Sequence, residues 1–252
     1  MTTLSIKLLF KRQFKENFKF YGIGLLVLFA MLLLMFLVVH QWRDSFAGAV
    51  QNGVFVIGLF VAGGLFTSSM FHEFSNPQSG MWMLSIPATH AEKVLTSLLW
   101  SVVVFLVTYF IVFYLADVIY LLSTEQLSYL TILNPFKDGF YQFIFYYLIF
   151  NGVVLFGSIV FNKYSFIKTI LMGIILLVFF NYLNAIILHS YLPEVTIISN
   201  TAFDSFIFSH EGENVSVALL DGQSFMSSVF VRGLLPMSIW VLVWLKLKEK
   251  QI

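Results

Sequence analysis

Long apolar runs alternate with polar segments along the whole chain. Each run holds roughly 20 residues, the length with which an α-helix crosses about 30 Å of hydrocarbon. We therefore predict six membrane spans, which lie at residues 21–40, 53–70, 97–120, 140–161, 169–188 and 225–245. The composition agrees, because 59% of the residues are hydrophobic and only 11% are charged, whereas about a quarter are charged in soluble domains. The sequence thus predicts an all-α polytopic membrane protein with one transmembrane domain over residues 1–252.

A basic amphipathic segment, residues 1–19, precedes the first predicted span. Lysines recur there every four residues, and phenylalanines do the same one position earlier, at Lys7, Lys11, Lys15 and Lys19 and at Phe10, Phe14 and Phe18. On a helix these positions form neighbouring stripes, so we predict a helix that lies along the membrane surface with its phenylalanines in the lipid boundary. A simple positive anchor and a docking surface for a cytosolic partner are both compatible with this pattern.

The segment between the second and third spans carries signals for a turn and a new helix. Residues 76–80 are a cluster of turn formers. Pro87 follows, and Thr89 with Glu92 has the spacing of a capping box, so a helix is predicted to start at Thr89. A continuous helix from Thr89 to Leu121 would be roughly 50 Å long, more than the bilayer core requires. Its first turns are therefore expected to project from the membrane.

Basic residues fall mostly on one side of the predicted membrane. Six spans put both chain ends on one side, and eleven basic residues share it, against three on the other. The eleven are Lys7, Lys11, Arg12, Lys15, Lys19, Lys93, Lys163, Lys168, Lys246, Lys248 and Lys250, and the three are Arg43, Lys137 and Arg232. Because basic loops stay inside the cell, we predict cytoplasmic termini and an outer loop at residues 189–224.

Polar side chains within the predicted spans need partners, because an unpaired amide in hydrocarbon is costly. Asn151, Asn181 and Asn184 are expected to face other helices, either for hydrogen bonding or, as the alternative, to line a pathway. Arg232 can reach the boundary as an anchor or pair with Asp117 near the outer end of the third span. Small residues in the second span, from Gly63 to Ser69, favour close helix approach over a substrate site.

Several kinds of chemistry have no signal in the chain. It contains no cysteine and no GxxxxGK[ST] nucleotide-binding pattern. His72-Glu73 is not followed by the second histidine of HExxH, and no GxSxG occurs. The five histidines are too scattered to propose as metal ligands. We therefore predict no catalytic residue, no metal and no enzyme activity for this chain.

The pattern around the end of the second span resembles that of a known family, the membrane subunits of ABC transporters of the type-2 exporter class. The resemblance is carried by Phe66-x-Ser68-Ser69-Met70-Phe71-x-Glu73, by Gly80, by Leu84-Ser85-Ile86-Pro87-Ala88-Thr89-x-x-Glu92-Lys93 and by the tail Lys246 to Gln251. Ile86 departs from the pattern, because leucine is commoner there. The likeness covers most of the chain and includes the basic first helix, six spans and the long outer loop.

The resemblance implies a permease subunit in a bacterial cytoplasmic (inner) membrane. ATP and Mg would bind to a separate ABC ATP-binding subunit, and a second copy of the permease or a paralogue would complete the transporter, with no nucleic acid involved. By the same resemblance, a turn and a short cytoplasmic coupling helix between spans 2 and 3 would dock on the ATPase. This coupling element would contain Glu73, Ser85, Pro87, Thr89, Glu92 and Lys93. Two alternatives stay open: a polytopic scaffold that recruits an ATPase, and an intramembrane enzyme that modifies lipids or peptides.

Overall fold

The computed structural model describes residues 3–42, 47–72, 80, 88–123, 141–191, 196–201, 205–210, 213–218 and 230–249. Seven α-helices lie in these ranges: α1 (Thr3–Trp42), α2 (Ala47–Ser69), α3 (His90–Leu98), α4 (Phe105–Ser123), α5 (Tyr141–Val160), α6 (Ser165–Tyr191) and α7 (Leu235–Glu249). Two π-helical turns, at Leu99–Val104 and Phe230–Leu234, precede α4 and α7. The first of these is called the π turn below.

Five segments of the described residues are long and apolar enough to cross a membrane. They are Ile6–Val38, Gln51–Ser69, His90–Ser123, Gln142–Val160 and Ser165–Ile187. This result agrees with the predicted multi-pass helical membrane protein. The described part of the predicted sixth span is helical from Phe230 to Glu249 but is not among the five. A sixth span therefore stays a prediction.

The first helix differs from the prediction. We expected a surface helix over residues 1–19 and a separate span from Tyr21, but α1 is a single helix of 40 residues, about 60 Å long at 1.5 Å per residue. No proline interrupts it, and the glycines at 22 and 24 lower helix propensity by only about 1 kcal/mol each. The chain therefore has no local reason to break where the predicted span begins.

Part of the predicted outer loop, residues 189–224, forms β-strands. β1 (Thr196–Thr201), β2 (Ser205–His210) and β3 (Glu213–Ala218) form an antiparallel sheet in the order β1-β2-β3. Phe206 lies opposite Val217, and Phe208 lies opposite Val215. Aromatic and β-branched residues favour strands, which explains why apolar pieces of this segment pair with one another. The all-α prediction holds for the apolar runs but not for these strands.

The chain divides into two compact units, which are residues 1–166 with 239–252, and residues 167–238. The second unit contains the sheet and most of α6. In the first unit, α1, α2 and α4 pack around aromatic side chains, for example Phe36 stacked on Tyr120 with ring centroids 4.8 Å apart.

A second apolar cluster of the first unit joins α1, α2, α3, α5 and α7. Its buried members are Met70, Phe71, Val94, Trp100, Leu155, Ile159, Val243 and Leu247. We call this region the basic end, because the helix ends that meet here bear many of the lysines. Those of α1 are Lys7, Lys11, Lys15 and Lys19, and those of α7 are Lys246 and Lys248.

The predicted long third helix is confirmed. α3, the π turn and α4 form one continuous helix from His90 to Ser123. Its start is capped as the sequence predicts, since the Thr89 hydroxyl accepts the Glu92 amide at 3.3 Å and the Thr89 amide donates to the Glu92 carboxylate at 2.9 Å. These two bonds satisfy amide groups that would otherwise be unpaired at the helix start.

Candidate functional site: a polar seam between α2 and the third helix

Buried polar groups tie α2 to the continuous helix His90–Ser123 at three levels. We call this line of contacts the polar seam; its levels are Thr67 and Ser101, which Asn151 of α5 bridges, the Phe55 carbonyl with Tyr109, and Gln51 with Asp117. The two outer levels are 16 residues apart on both helices, or about 24 Å along the axes. The two helices run in opposite directions, so the equal spacing keeps both levels in register.

At the basic end of the seam, Asn151 of α5 joins the other two helices. Its amide donates to the Thr67 hydroxyl at 2.7 Å and to the Ser101 carbonyl at 3.4 Å, while the Ser101 hydroxyl donates to its oxygen at 3.4 Å. Tyr147, one turn earlier, donates to the same Ser101 carbonyl at 2.8 Å. All four side chains are buried. The prediction that Asn151 faces other helices is confirmed.

The local cause of this arrangement is the π turn. A π turn is wider than an α turn and is frequent at functional sites as a single insertion in an α-helix. Ser101 lies inside it, and its carbonyl accepts side-chain donors from α5. Sequence analysis missed the π turn, because five apolar residues and one serine carry no period that separates a π turn from an α turn.

Trp100, also in the π turn, connects the third helix to α1. Its ring stacks on Phe10 with centroids 4.5 Å apart and on Tyr21 at 5.1 Å. Phe10 was predicted to lie in the lipid boundary, but it packs against protein. Phe18 does remain exposed, at 61%. The first half of α1 is therefore fastened to the start of the third helix through aromatic contacts.

Close helix approach at the centre of the seam depends on glycine. Tyr109 is fully buried and donates to the Phe55 carbonyl at 2.7 Å. A Cβ atom at Gly58 would lie 2.6 Å from the Tyr109 hydroxyl oxygen. A Cβ at Gly63 would overlap the Tyr147 ring. The predicted packing role of the small residues in this span is thus confirmed for Gly63.

The far end of the seam contains a buried acid. Gln51 donates to one carboxylate oxygen of Asp117 at 2.9 Å, and both side chains are buried. The other oxygen, Oδ2, is buried and has no hydrogen-bond partner among the residues that the structure describes. The sequence suggested Arg232 as a partner of Asp117, and that pairing stays a prediction. Gln51 was missed because it lay just outside the predicted span; its depth, matched to that of Asp117, could have indicated it.

The predicted docking residues divide into two groups. Glu73, Ser85 and Pro87 lie outside the described residues. Thr89 is exposed, whereas Glu92 and Lys93 are buried, with exposed fractions of 4% and 3%. In this chain the last two pack inward instead of forming a surface. The capping bond also turns the Glu92 carboxylate back onto the helix start.

The asparagines of α6 differ from Asn151. Asn181 is exposed and Asn184 is partly exposed. The expectation that both face other helices is therefore not met in the described part of the chain. Their helix belongs mainly to the second compact unit, and periodicity alone cannot say which face of such a uniformly apolar helix is covered.

No metal centre is visible in the described ranges, which hold no group of three or more His, Cys, Asp and Glu side chains arranged to bind an ion. Comparison with protein-family models, with curated proteins and with solved structures finds no match to this chain. The geometry defines its class as a multi-pass helical membrane protein whose apolar helices are tied by a buried polar seam.

Proposed function

We propose that this chain is the membrane subunit of an ATP-driven exporter of the ABC type-2 class and that a separate subunit hydrolyses ATP. One observation carries the proposal: the capped helix α3 is continuous with α4, so its start and the apolar span belong to one stiff rod. A capped helix of this kind transmits a displacement better than an irregular loop. The resemblance in residues 66–93 supports the same assignment.

The distribution of charge supports the proposed orientation. The lysine-bearing ends of α1 and α7 contact the same apolar cluster as the start of the third helix. Under the positive-inside rule this end would face the cytoplasm, where an ATPase could reach it. The proposal includes six spans, both termini inside, a bacterial cytoplasmic membrane, and two permease copies with the pathway between them.

A partner at this end would contact the exposed parts of α3 and its cap. Thr89 is exposed, and Leu95, two turns further on, is 39% exposed. Glu92 would act indirectly, because it holds the cap that fixes the direction of α3. We therefore assign docking to the surface around Thr89 and Leu95, together with Glu73, Ser85 and Pro87 from the predicted motif.

The test is to purify the tagged chain in mild detergent from cells that naturally express it and to identify proteins that remain bound. The proposal expects an ABC ATP-binding subunit, with ATP hydrolysis that depends on the permease. Leu95→Asp should reduce its recovery, whereas Leu122→Asp, an exposed apolar position at the other end of the third helix, should not.

Two results would contradict the proposal. Recovery of the intact chain without any nucleotide-binding protein would favour the enzyme alternative. An ATPase that binds while its hydrolysis and cargo export are independent of the permease would favour the scaffold.

A further inference from the structure

The π turn at Leu99–Val104 is the point where any movement of α3 passes into α4. It joins two α-helical segments of one continuous helix. Because π turns are rare and short, such a turn persists where neighbouring contacts stabilise it. Two helices supply those contacts here: α5 through Tyr147 and Asn151, and α1 through Phe10 and Tyr21.

Tyr147 contacts the main chain of the π turn. Its hydroxyl donates to the Ser101 carbonyl at 2.8 Å, and the tyrosine is fully buried. A buried donor that loses its acceptor is costly, so this bond favours the arrangement in which the Ser101 carbonyl points to α5. The same carbonyl accepts the longer bond from Asn151.

We propose that the π turn is a switch between a π form and an α form, and that Tyr147 is the positioning residue that holds the π form. The switch itself needs no assumption about transport. Only its use, which is to carry a rotation of α3 into or out of the membrane, rests on the proposed function.

The two forms differ in which side chains of α3 are buried. A π turn accommodates one extra residue, so its conversion to α turns would rotate α3 relative to α4 by one residue, or about 100°. Each residue of α3 would then take the angular position now held by the residue before it. Thr96, which is buried, would move to the present position of Leu95, which is 39% exposed. Leu95 would move to the position of buried Val94.

Single cysteines can report this rotation, because the natural chain has none. Thr96→Cys and Leu95→Cys are introduced separately into the full chain, and Val107→Cys provides an exposed reporter on α4. The rate of N-ethylmaleimide reaction is measured in detergent without nucleotide. Each reporter is combined with Tyr147→Phe or with Tyr146→Phe, a matched change at an exposed neighbour.

Loss of the Tyr147 hydroxyl should increase the population of the α form about fivefold, the effect of one ordinary hydrogen bond. The reaction at Thr96→Cys should become faster by that factor, while reactions at Leu95→Cys and Val107→Cys should not accelerate. Tyr146→Phe should change none of the three. A general loosening of the helix would instead accelerate both reporters on α3 and would overturn the proposal.

Deletion of Val103, an exposed residue of the π turn, provides a second test. It removes the extra residue, so α3 keeps its present orientation with regular α turns. In this deletion background, Tyr147→Phe should no longer change the rate of the N-ethylmaleimide reaction at Thr96→Cys. The switch is overturned if Tyr147→Phe still accelerates this reaction in the deletion background. It is also overturned if Tyr147→Phe leaves the reaction unchanged in the natural background.

If Tyr147→Phe does not yield folded protein, Asn151→Ala removes the other donor to Ser101 and is judged by the same reporters. No ATPase is present in this assay. Its outcome is therefore distinguishable from a failure of the co-purification experiment.

Discussion

Gln51 donates a hydrogen bond of 2.9 Å to Asp117, and this contact joins the start of α2 to the far end of the third helix inside the apolar bundle. The arrangement explains how an acidic residue lies in a predicted span: part of its hydrogen-bonding capacity is satisfied by an amide at the same depth. An intramembrane acid is expensive unless it is paired in this way.

Two substitutions at Asp117 separate hydrogen bonding from charge. Asp117→Asn keeps an acceptor for Gln51, so the free energy of unfolding should stay the same or rise. Asp117→Leu leaves the buried Gln51 donor unsatisfied and should lower it by about 1–3 kcal/mol. The free energy of unfolding of both variants is measured in mixed micelles, and Val118→Ala, at an exposed neighbouring position, is the control. Equal destabilisation by Asn and Leu would mean that the carboxylate charge itself has a stabilising partner.

Gly58→Ala should destabilise the bundle, because the new methyl group would lie 2.6 Å from the Tyr109 hydroxyl oxygen and 2.8 Å from a Leu32 methyl carbon. Leu32 can move, but Tyr109 is held by the Phe55 carbonyl. Overpacking of this kind costs about 1–3 kcal/mol. Gly53→Ala is the matched control on the same helix, since its Cβ would meet open space. Thermal unfolding should show a lower midpoint for Gly58→Ala alone; equal midpoints would contradict the close approach.

Thr89→Ala should weaken the start of α3 by about 1 kcal/mol, because it removes the hydroxyl that accepts the Glu92 amide. Hydrogen exchange of the amides in the first turn of α3 should accelerate about fivefold. Thr89→Ser retains the hydroxyl and should exchange like the natural protein. Unchanged protection in Thr89→Ala would show that the cap does not stabilise this helix end.

Phe10→Ala should release the first half of α1 from the third helix, since its ring stacks on Trp100. Trypsin should then cleave faster after Lys7, Lys11 and Lys15, which lie on the released segment. Phe18→Ala removes a ring of the same size that is 61% exposed, so cleavage should change little. Similar cleavage of both variants would contradict a specific role for Phe10.

The local predictions succeeded where the signal lies within a few residues. The capping box at Thr89 and Glu92 depends on a spacing of three, and the structure contains both of its hydrogen bonds. The helical character of the apolar runs follows in the same way from their length and composition. For Asn151, the cost of an unpaired amide predicted buried partners but did not name Thr67 or Ser101.

The predictions that failed depended on choices between nearly equal local states. No residue between positions 18 and 24 disfavours helix strongly enough to end α1 there. Nothing in Leu99–Val104 distinguishes a π turn from an α turn until Tyr147 and Asn151 are placed beside it. Glu92 and Lys93 looked suited to a surface, but packing at the basic end buries them.

The amino-acid sequence alone therefore determined the membrane class, the helical runs, the segregation of basic charge and the capped start of the third helix, because each depends on composition or short-range spacing. The tertiary structure alone decided the unbroken α1, the π turn, the antiparallel sheet and the pairing of Gln51 with Asp117. These features depend on which side chains meet across helices and strands, and residues 50 to 84 positions apart in the helical bundle become neighbours only when the chain has packed.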